Sequence, residues 1–375
     1  MPQLHSRAAA SLSLPPRSYI YSLVASPSSP GKHLAATASD DSLRVFDRET
    51  LRLVSTPSTK AHSGVTSLKE YRDTNGSGYL ATAGRDGAVR LWDVRAKQGA
   101  GPAVELSTEN RRAILSLACD PASNTIVSGT ELAQSQAVVT LWDVRSPDQP
   151  KREFIESHND DVTELQFHPT RRHVLLSGST DGLVNIYDTT IADEDDVLLQ
   201  VINHGSIHRA GFLSDNAVYA LSHDEVFSIH PVTDPDSEST ANDPSPIHFG
   251  DVRQLLSCQY VVQILPSSQG SFLAAGDTNN PRLDLFPLVS TTKWDIDRSN
   301  VWRLPGGHGP EIIRTVYLDE ESKTLFTGAE DGFVRAWVES PASAEPTAEH
   351  KPKPKSEHRE KKKKKEREER RYKPY

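Results

Sequence analysis

A histidine, a hydroxyl residue, an aspartate and an aromatic recur three times in this chain at nearly fixed distances. The sets are His62, Thr82, Asp86 and Trp92; His158, Ser177, Asp181 and Tyr187; and His308, Thr327, Asp331 and Trp337. The histidine-to-aromatic interval is 30, 29 and 29 residues, with the hydroxyl four before the aspartate and the aromatic six after it. A pattern held this closely marks a duplicated unit. A unit of this period cannot bury its apolar face alone and must stack on copies of itself.

Each unit reads as β structure. "YLATAG" and "AVRLWDV" are apolar and β-branched, bounded by Gly and Asp, which predicts short strands joined by tight turns. "RDG" at 85–87, "TDG" at 180–182 and "EDG" at 330–332 predict hairpins in which glycine supplies a positive φ.

These residues resemble the WD-repeat β-propeller family, whose repeats open near Gly-His and close near Trp-Asp. Two endings read "LWDVR", at 91–95 and 141–145; weaker forms are "VFD", "IYD", "LFP" and "AWV". The aromatics Phe46, Trp92, Trp142, Tyr187, Phe286 and Trp337 are 46, 50, 45, 99 and 51 residues apart, so the long gap hides a degenerate repeat. "AVYALSHDEVFSIH", Ala217–His230, fits it, with Ile229 in the aromatic position. The expected fold is all-β, a seven-bladed propeller with a disordered basic C-terminal tail. General organisation and the degenerate fifth blade are most similar to the WD-repeat-containing protein 89 family. The resemblance implies that each turn aspartate bonds its histidine, while hydroxyl and aromatic complete a buried structural network, so these groups are not a catalytic dyad.

The expected boundaries are 1–17 for an N-terminal segment, 18–340 for the propeller and 341–375 for the tail. "YIYSLVAS" and "HLAATAS" read as inner strands of the first blade. The N-terminus, free of acidic residues through position 39, also has a composition that suits a transit peptide. Closure of the ring is the preferred reading, with Ala8–Leu14 supplying the outer strand of the last blade and removing an open edge. "IADEDDV" (191–197) and the acidic, proline-bearing stretch 231–245 read as solvated surface loops. Cys119 and Cys258 lie in strand-like runs and read as small core residues. No apolar run reaches the roughly 20 residues that span a bilayer, so no membrane partner is expected.

Charge separates the tail from the rest. Pro346–Tyr375 holds 13 Lys and Arg against 6 Glu, +7; with −9 for the whole chain, residues 1–345 carry −16. The cluster Lys361, Lys362, Lys363, Lys364 and Lys365 suits a nuclear localisation signal or an electrostatic contact with RNA or a pre-ribosomal particle. Tyr372 and Tyr375 after it read as a short anchoring motif.

No phosphate-binding loop, nucleophile elbow, zinc-protease helix or Cys-x-x-Cys occurs, so no catalytic, cofactor or metal residues are expected. What remains is protein recognition. The acidic ring, a monomeric propeller, suits basic partners such as histones or ribosomal proteins, in the nucleus or nucleolus. The alternative rests on Trp92, Asp93, Arg95 and Trp142, Asp143, Arg145. This Trp-Asp-x-Arg box is similar to that by which some WD-repeat proteins dock on the adaptor of cullin-4 ubiquitin ligases as substrate receptors.

Overall fold

The computed structural model describes residues 3–27, 32–73, 76–232 and 245–339. The chain divides into two units, Met1–Ser340 and Pro341–Tyr375. The second lies outside the described residues, and with it Lys361–Lys365, Tyr372 and Tyr375. Most of the 231–245 stretch lies outside them too.

Seven antiparallel sheets make up the first unit, each with its first strand innermost. Blade 1 runs Ile20–Ala25, His33–Ala38, Leu43–Asp47, Leu53–Ser58, and blade 2 runs Val65–Arg72, Gly78–Gly84, Ala88–Asp93, Val104–Ser107. Blade 3 is Ile114–Asp120, Thr125–Thr130, Ala137–Asp143, Arg152–His158; blade 4 is Val162–Phe167, Val174–Ser179, Leu183–Asp188, Leu198–Asn203. Blade 5 is Ile207–Ser214, Ala217–Ser222, Val226–Pro231, Ile247–Asp251. Blade 6 is Tyr260–Ser267, Gly270–Asp277 and Arg282–Ser290, and its outer strand is split into Trp294–Ile296 and Trp302–Pro305. Blade 7 is Ile313–Asp319, Thr324–Ala329 and Val334–Glu339, with Leu4–Ala10 as its outermost strand.

That last strand lies nearer the N-terminus than the Ala8–Leu14 read from the sequence. Leu12 and Ser13 adopt φ of 51° and 59°, which ends the strand, and Arg44 clamps the turn by donating to both of their carbonyls. Leu12 is buried between blades 7 and 1, beside Ile20 and Phe326. Leu4, the other apolar anchor, packs with Leu304 and Trp337.

In five of the seven blades an aromatic near the end of the third strand packs on the preceding blade. Trp92 meets Leu43 and Val45 of blade 1; Trp142 meets Tyr71 and Ala81 of blade 2. Tyr187 stacks on Phe154 of blade 3 at 5.0 Å. Large rings at this position bury the most area per residue, so they carry much of the cohesion between sheets.

The register corrects the fifth repeat by one residue. Trp92 faces Leu80, Tyr187 faces Leu175 and Trp337 faces Leu325, each four residues before the one opposite the inner-strand bulge. In blade 5 that site is Val218, which pairs with His230, so His230 and not Ile229 takes the aromatic position. Ile229 points the other way, into the core shared with blade 6. The same rule places Leu288 rather than Phe286 in blade 6. Cys119 is in a strand, but Cys258 follows a short helix, Val252–Leu256, that the sequence reading took as β. Asp251 caps that helix by accepting from the Arg253 N–H. The 191–197 loop is more than solvated surface: Val197 is fully buried, and Arg152 donates to the carbonyls of Thr189 and Ile191.

Candidate interaction surfaces

In blade 2, the His62 Nδ1 lies 2.8 Å from the Asp86 carboxylate and Nε2 2.7 Å from Thr82 Oγ1, which also takes the Trp92 indole N–H at 2.8 Å. With the imidazole neutral, one arrangement of protons satisfies all three contacts. Trp92 donates to Thr82, Thr82 donates to His62 Nε2, and His62 Nδ1–H donates to Asp86. Blade 7 repeats it through Trp337, Thr327, His308 and Asp331 at 2.9, 2.7 and 2.9 Å. In blade 4 a phenol replaces the indole: Tyr187 to Ser177 is 2.8 Å, Ser177 to His158 is 2.6 Å and His158 to Asp181 is 3.0 Å. The three imidazoles are buried and both nitrogens of each are engaged. Burial pushes His62 and His308 below the usual histidine range despite their aspartates, which keeps them neutral.

The turn glycines are positioned for the same purpose. Gly87 and Gly332 have φ of 70° and 76°, and a Cβ there would come within 2.4 Å of the Arg111 backbone and 2.5 Å of the Ser18 carbonyl, in the segments leading into the following blade. Blade 3 carries the motif's outline without its network. Its third strand carries Trp142, yet the indole N–H and Ser128 Oγ are buried without partners among the described residues.

The two Trp-Asp-x-Arg corners are alike. The Arg95 guanidinium forks onto Asp93 at 2.9 and 2.9 Å, and Arg145 onto Asp143 at 2.9 and 2.6 Å. The arginine side chains are 57% and 69% exposed, so each fork stands on the rim with its outer edge toward solvent. The arginine holds each carboxyl below its ordinary range, Asp143 at about 2.

A third feature carries no motif. All seven inner strands have a register shift near their start, at the second residue in six of them and the third in blade 6, leaving Tyr21, Thr66, Leu115, Thr163, His208, Val262 and Arg314 unpaired against their neighbours. A bulge re-aims the side chain it displaces. Here all seven line one cavity of about 910 Å³ on the ring axis. Two of them bind blade to blade: Thr66 donates to the Ile114 carbonyl at 2.8 Å and Thr163 to that of Ile207 at 2.8 Å. Below the collar, Arg209 of blade 5 meets Glu164 of blade 4 at 3.3 Å. At the mouth, His208 stacks on His223 with ring centres 5.2 Å apart, and Arg314 pairs with Glu330. Burial holds His208 neutral by lowering it to about 4, with Arg209 adding to the effect. No spacing in the sequence marks these residues, because each belongs to a different blade and they converge only on the axis.

Among the described residues, no group of three or more His, Cys, Asp or Glu is arranged to hold a metal ion, and no helix is long and apolar enough to cross a membrane. Comparison with known proteins agrees with the architecture. The family described as "WD domain, G-beta repeat" matches residues 53–93 and 149–188. An uncharacterised WD repeat-containing protein of Schizosaccharomyces pombe is 35% identical over 314 residues, 81% of this chain and 92% of its own. A second, from Saccharomyces cerevisiae, is 36% identical over 280 residues, 74% of this chain and 68% of its own. The WD repeat-containing protein 89 homologue of Dictyostelium discoideum is 26% identical over 320 residues, 82% of this chain and 80% of its own. Repeat spacing, seven blades and these likenesses together make the chain a member of the WD-repeat β-propeller family, with similarity to WD repeat-containing protein 89.

Proposed function

We propose that the protein is a non-enzymatic interaction scaffold whose acidic propeller holds basic partners, of the histone or ribosomal-protein type, in the nucleus or nucleolus. The observation that carries this reading is the charge balance: −16 over residues 1–345 against +7 over the last 30. An acidic surface raises the local concentration and encounter rate of cationic proteins, and like charge rejects acidic ones. The buried networks support a scaffold, since their histidines have no nitrogen left to offer a substrate. Capture from nuclear extract with the full chain, eluted by a salt gradient, tests the reading. Basic proteins leaving between about 0.1 and 0.5 M salt are expected, because charge contacts are screened in that range. Recovery of neutral or acidic partners that resist salt would overturn it.

A second reading, substrate receptor of a cullin-4 ligase, rests on the paired rim arginines. The identical Asp93–Arg95 and Asp143–Arg145 forks sit at matching corners of neighbouring blades. Arg95→Ala with Arg145→Ala should abolish capture of the ligase adaptor if this is their role. Unchanged capture, or none by the parent chain, excludes it. The tail supplies the address in both readings. Lys361–Lys365 serves nuclear import, while an RNA or pre-ribosomal contact would weaken steeply with salt.

A further inference from the structure

The turn that closes blade 5 reads "HDE" where blades 2, 4 and 7 read "RDG", "TDG" and "EDG". Glu225 therefore stands in the place of a turn glycine and takes its left-handed backbone, φ 60°. For a residue with a Cβ that conformation is strained. Its side chain lines the mouth of the axial cavity and the residue is only 7% exposed. Blade 1 shows what a carboxylate at this turn does structurally. Asp41, φ 65°, latches onto the next blade with both oxygens, taking the N–H groups of Gly64 and Val65 at 2.8–3.1 Å. Glu225 reaches the corresponding Val261 N–H of blade 6, but its Oε2 is buried with no hydrogen-bond partner among the described residues.

The arginines nearby are already paired. Arg209 pairs with Glu164, Arg253 with Asp251, Arg282 with Asp277 and Asp284, and Arg314 with Glu330. His208 and its stacked neighbour His223 stand on the same side of the mouth, and Asp224 precedes the carboxylate in the turn. A buried carboxylate oxygen without a partner is costly, and a cation entering the mouth would satisfy it.

We propose that the blade 5–blade 6 side of the channel mouth receives one lysine side chain of a basic protein partner, with the Glu225 carboxylate as its counter-ion. One free oxygen suits the point charge of an ammonium; a guanidinium would want the two-oxygen fork that Val261 has already half occupied. The inference rests on the acidic-scaffold reading and narrows it to a site. Burial pushes the Glu225 carboxyl up to about 7, with Asp251 adding to it and the Val261 N–H and Arg253 opposing. Lysine capture therefore competes with a proton, and affinity should grow as pH rises through 7.

The test uses the full chain and a capped hexalysine peptide, with capped hexa-arginine and hexa(acetyl-lysine) beside it. Binding is followed by calorimetry at pH 5.5 and 8.0. The ionised fraction of a group with a pKa near 7 rises about thirtyfold between those values, and affinity for hexalysine should rise by a like factor. Hexalysine should bind more tightly than hexa-arginine, and the acetylated peptide not at all. Glu225→Gln should weaken hexalysine at least tenfold at pH 8.0 and remove the pH dependence, with its unfolding transition retained. Asp148→Asn, which deletes an equal charge from an exposed turn elsewhere, should change affinity less than twofold. Equal, salt-sensitive losses in both variants would overturn this site while leaving the acidic-scaffold reading intact. No binding of hexalysine by the parent chain would overturn both.

Discussion

Thr82→Val isolates what the His-Thr-Trp network contributes. Valine keeps the shape of threonine, so no cavity opens at a side chain with no solvent exposure. What is lost is a donor to His62 Nε2 and an acceptor for the Trp92 indole N–H, contacts of 2.7 and 2.8 Å. Both partners stay buried and find nothing else to bond. Each orphaned group costs about 1–3 kcal/mol, so for the two the expected loss is about 2–6 kcal/mol. Urea unfolding of the full chain, followed by tryptophan fluorescence and circular dichroism, should show a lower midpoint with an unchanged slope. Trp92→Phe supplies the control. In that background the indole N–H is already gone, and Thr82→Val should cost about 1–2 kcal/mol less than in the parent. Blade 3, where the Trp142 N–H is buried without a partner among the described residues, shows that the ring tolerates one such defect, so a folded but weaker variant is the expected product. An unchanged midpoint, or costs that simply add, would refute the relay.

Glu225→Gln should stabilise the protein at alkaline pH. A carboxyl raised from 4.5 to about 7 loses stability as pH rises between those values, so the parent pays up to about 3 kcal/mol above pH 7 that glutamine does not; equal stability of the two at pH 8 would count against its burial. The neutral histidines act in the opposite direction. His62 and His308 titrate below 6.5 in the fold, so their contribution is complete above 6.5 and falls as pH drops below it; His62→Gln should flatten that part of a stability–pH profile. Removing residues 1–14 uncovers the Val334–Glu339 edge and should cause concentration-dependent association on gel filtration; a monomer with its original melting temperature would argue that Leu4–Ala10 is dispensable. Deleting 351–375 should leave the melting transition in place while shifting the protein from nucleus to cytoplasm; unchanged nuclear signal would remove Lys361–Lys365 as the address.

The blade count and the members of the three networks are legible in the chain itself. Each lies within one repeat, and a hydroxyl four before an aspartate and an aromatic six after it are distances that a hairpin fixes locally. The same local logic failed where a repeat had lost its marks. Without hydroxyl or indole, blade 5 could be aligned only to within one residue, and strand pairing moved the aromatic slot from Ile229 to His230. The closing strand was misplaced because an Ala/Ser-rich edge has almost no alternation; the positive φ at Leu12 and Ser13 sets its end. The channel collar belongs wholly to the tertiary structure. Tyr21, His208 and Arg314 meet only when separate inner strands converge on one axis, and a bulge turns each of them toward it. The sequence shows only that Glu225 stands where the other repeats have a turn glycine. Its burial, its backbone and its unpartnered oxygen follow from the packing of blade 6 against blade 5, because desolvation depends on neighbours that are remote along the chain.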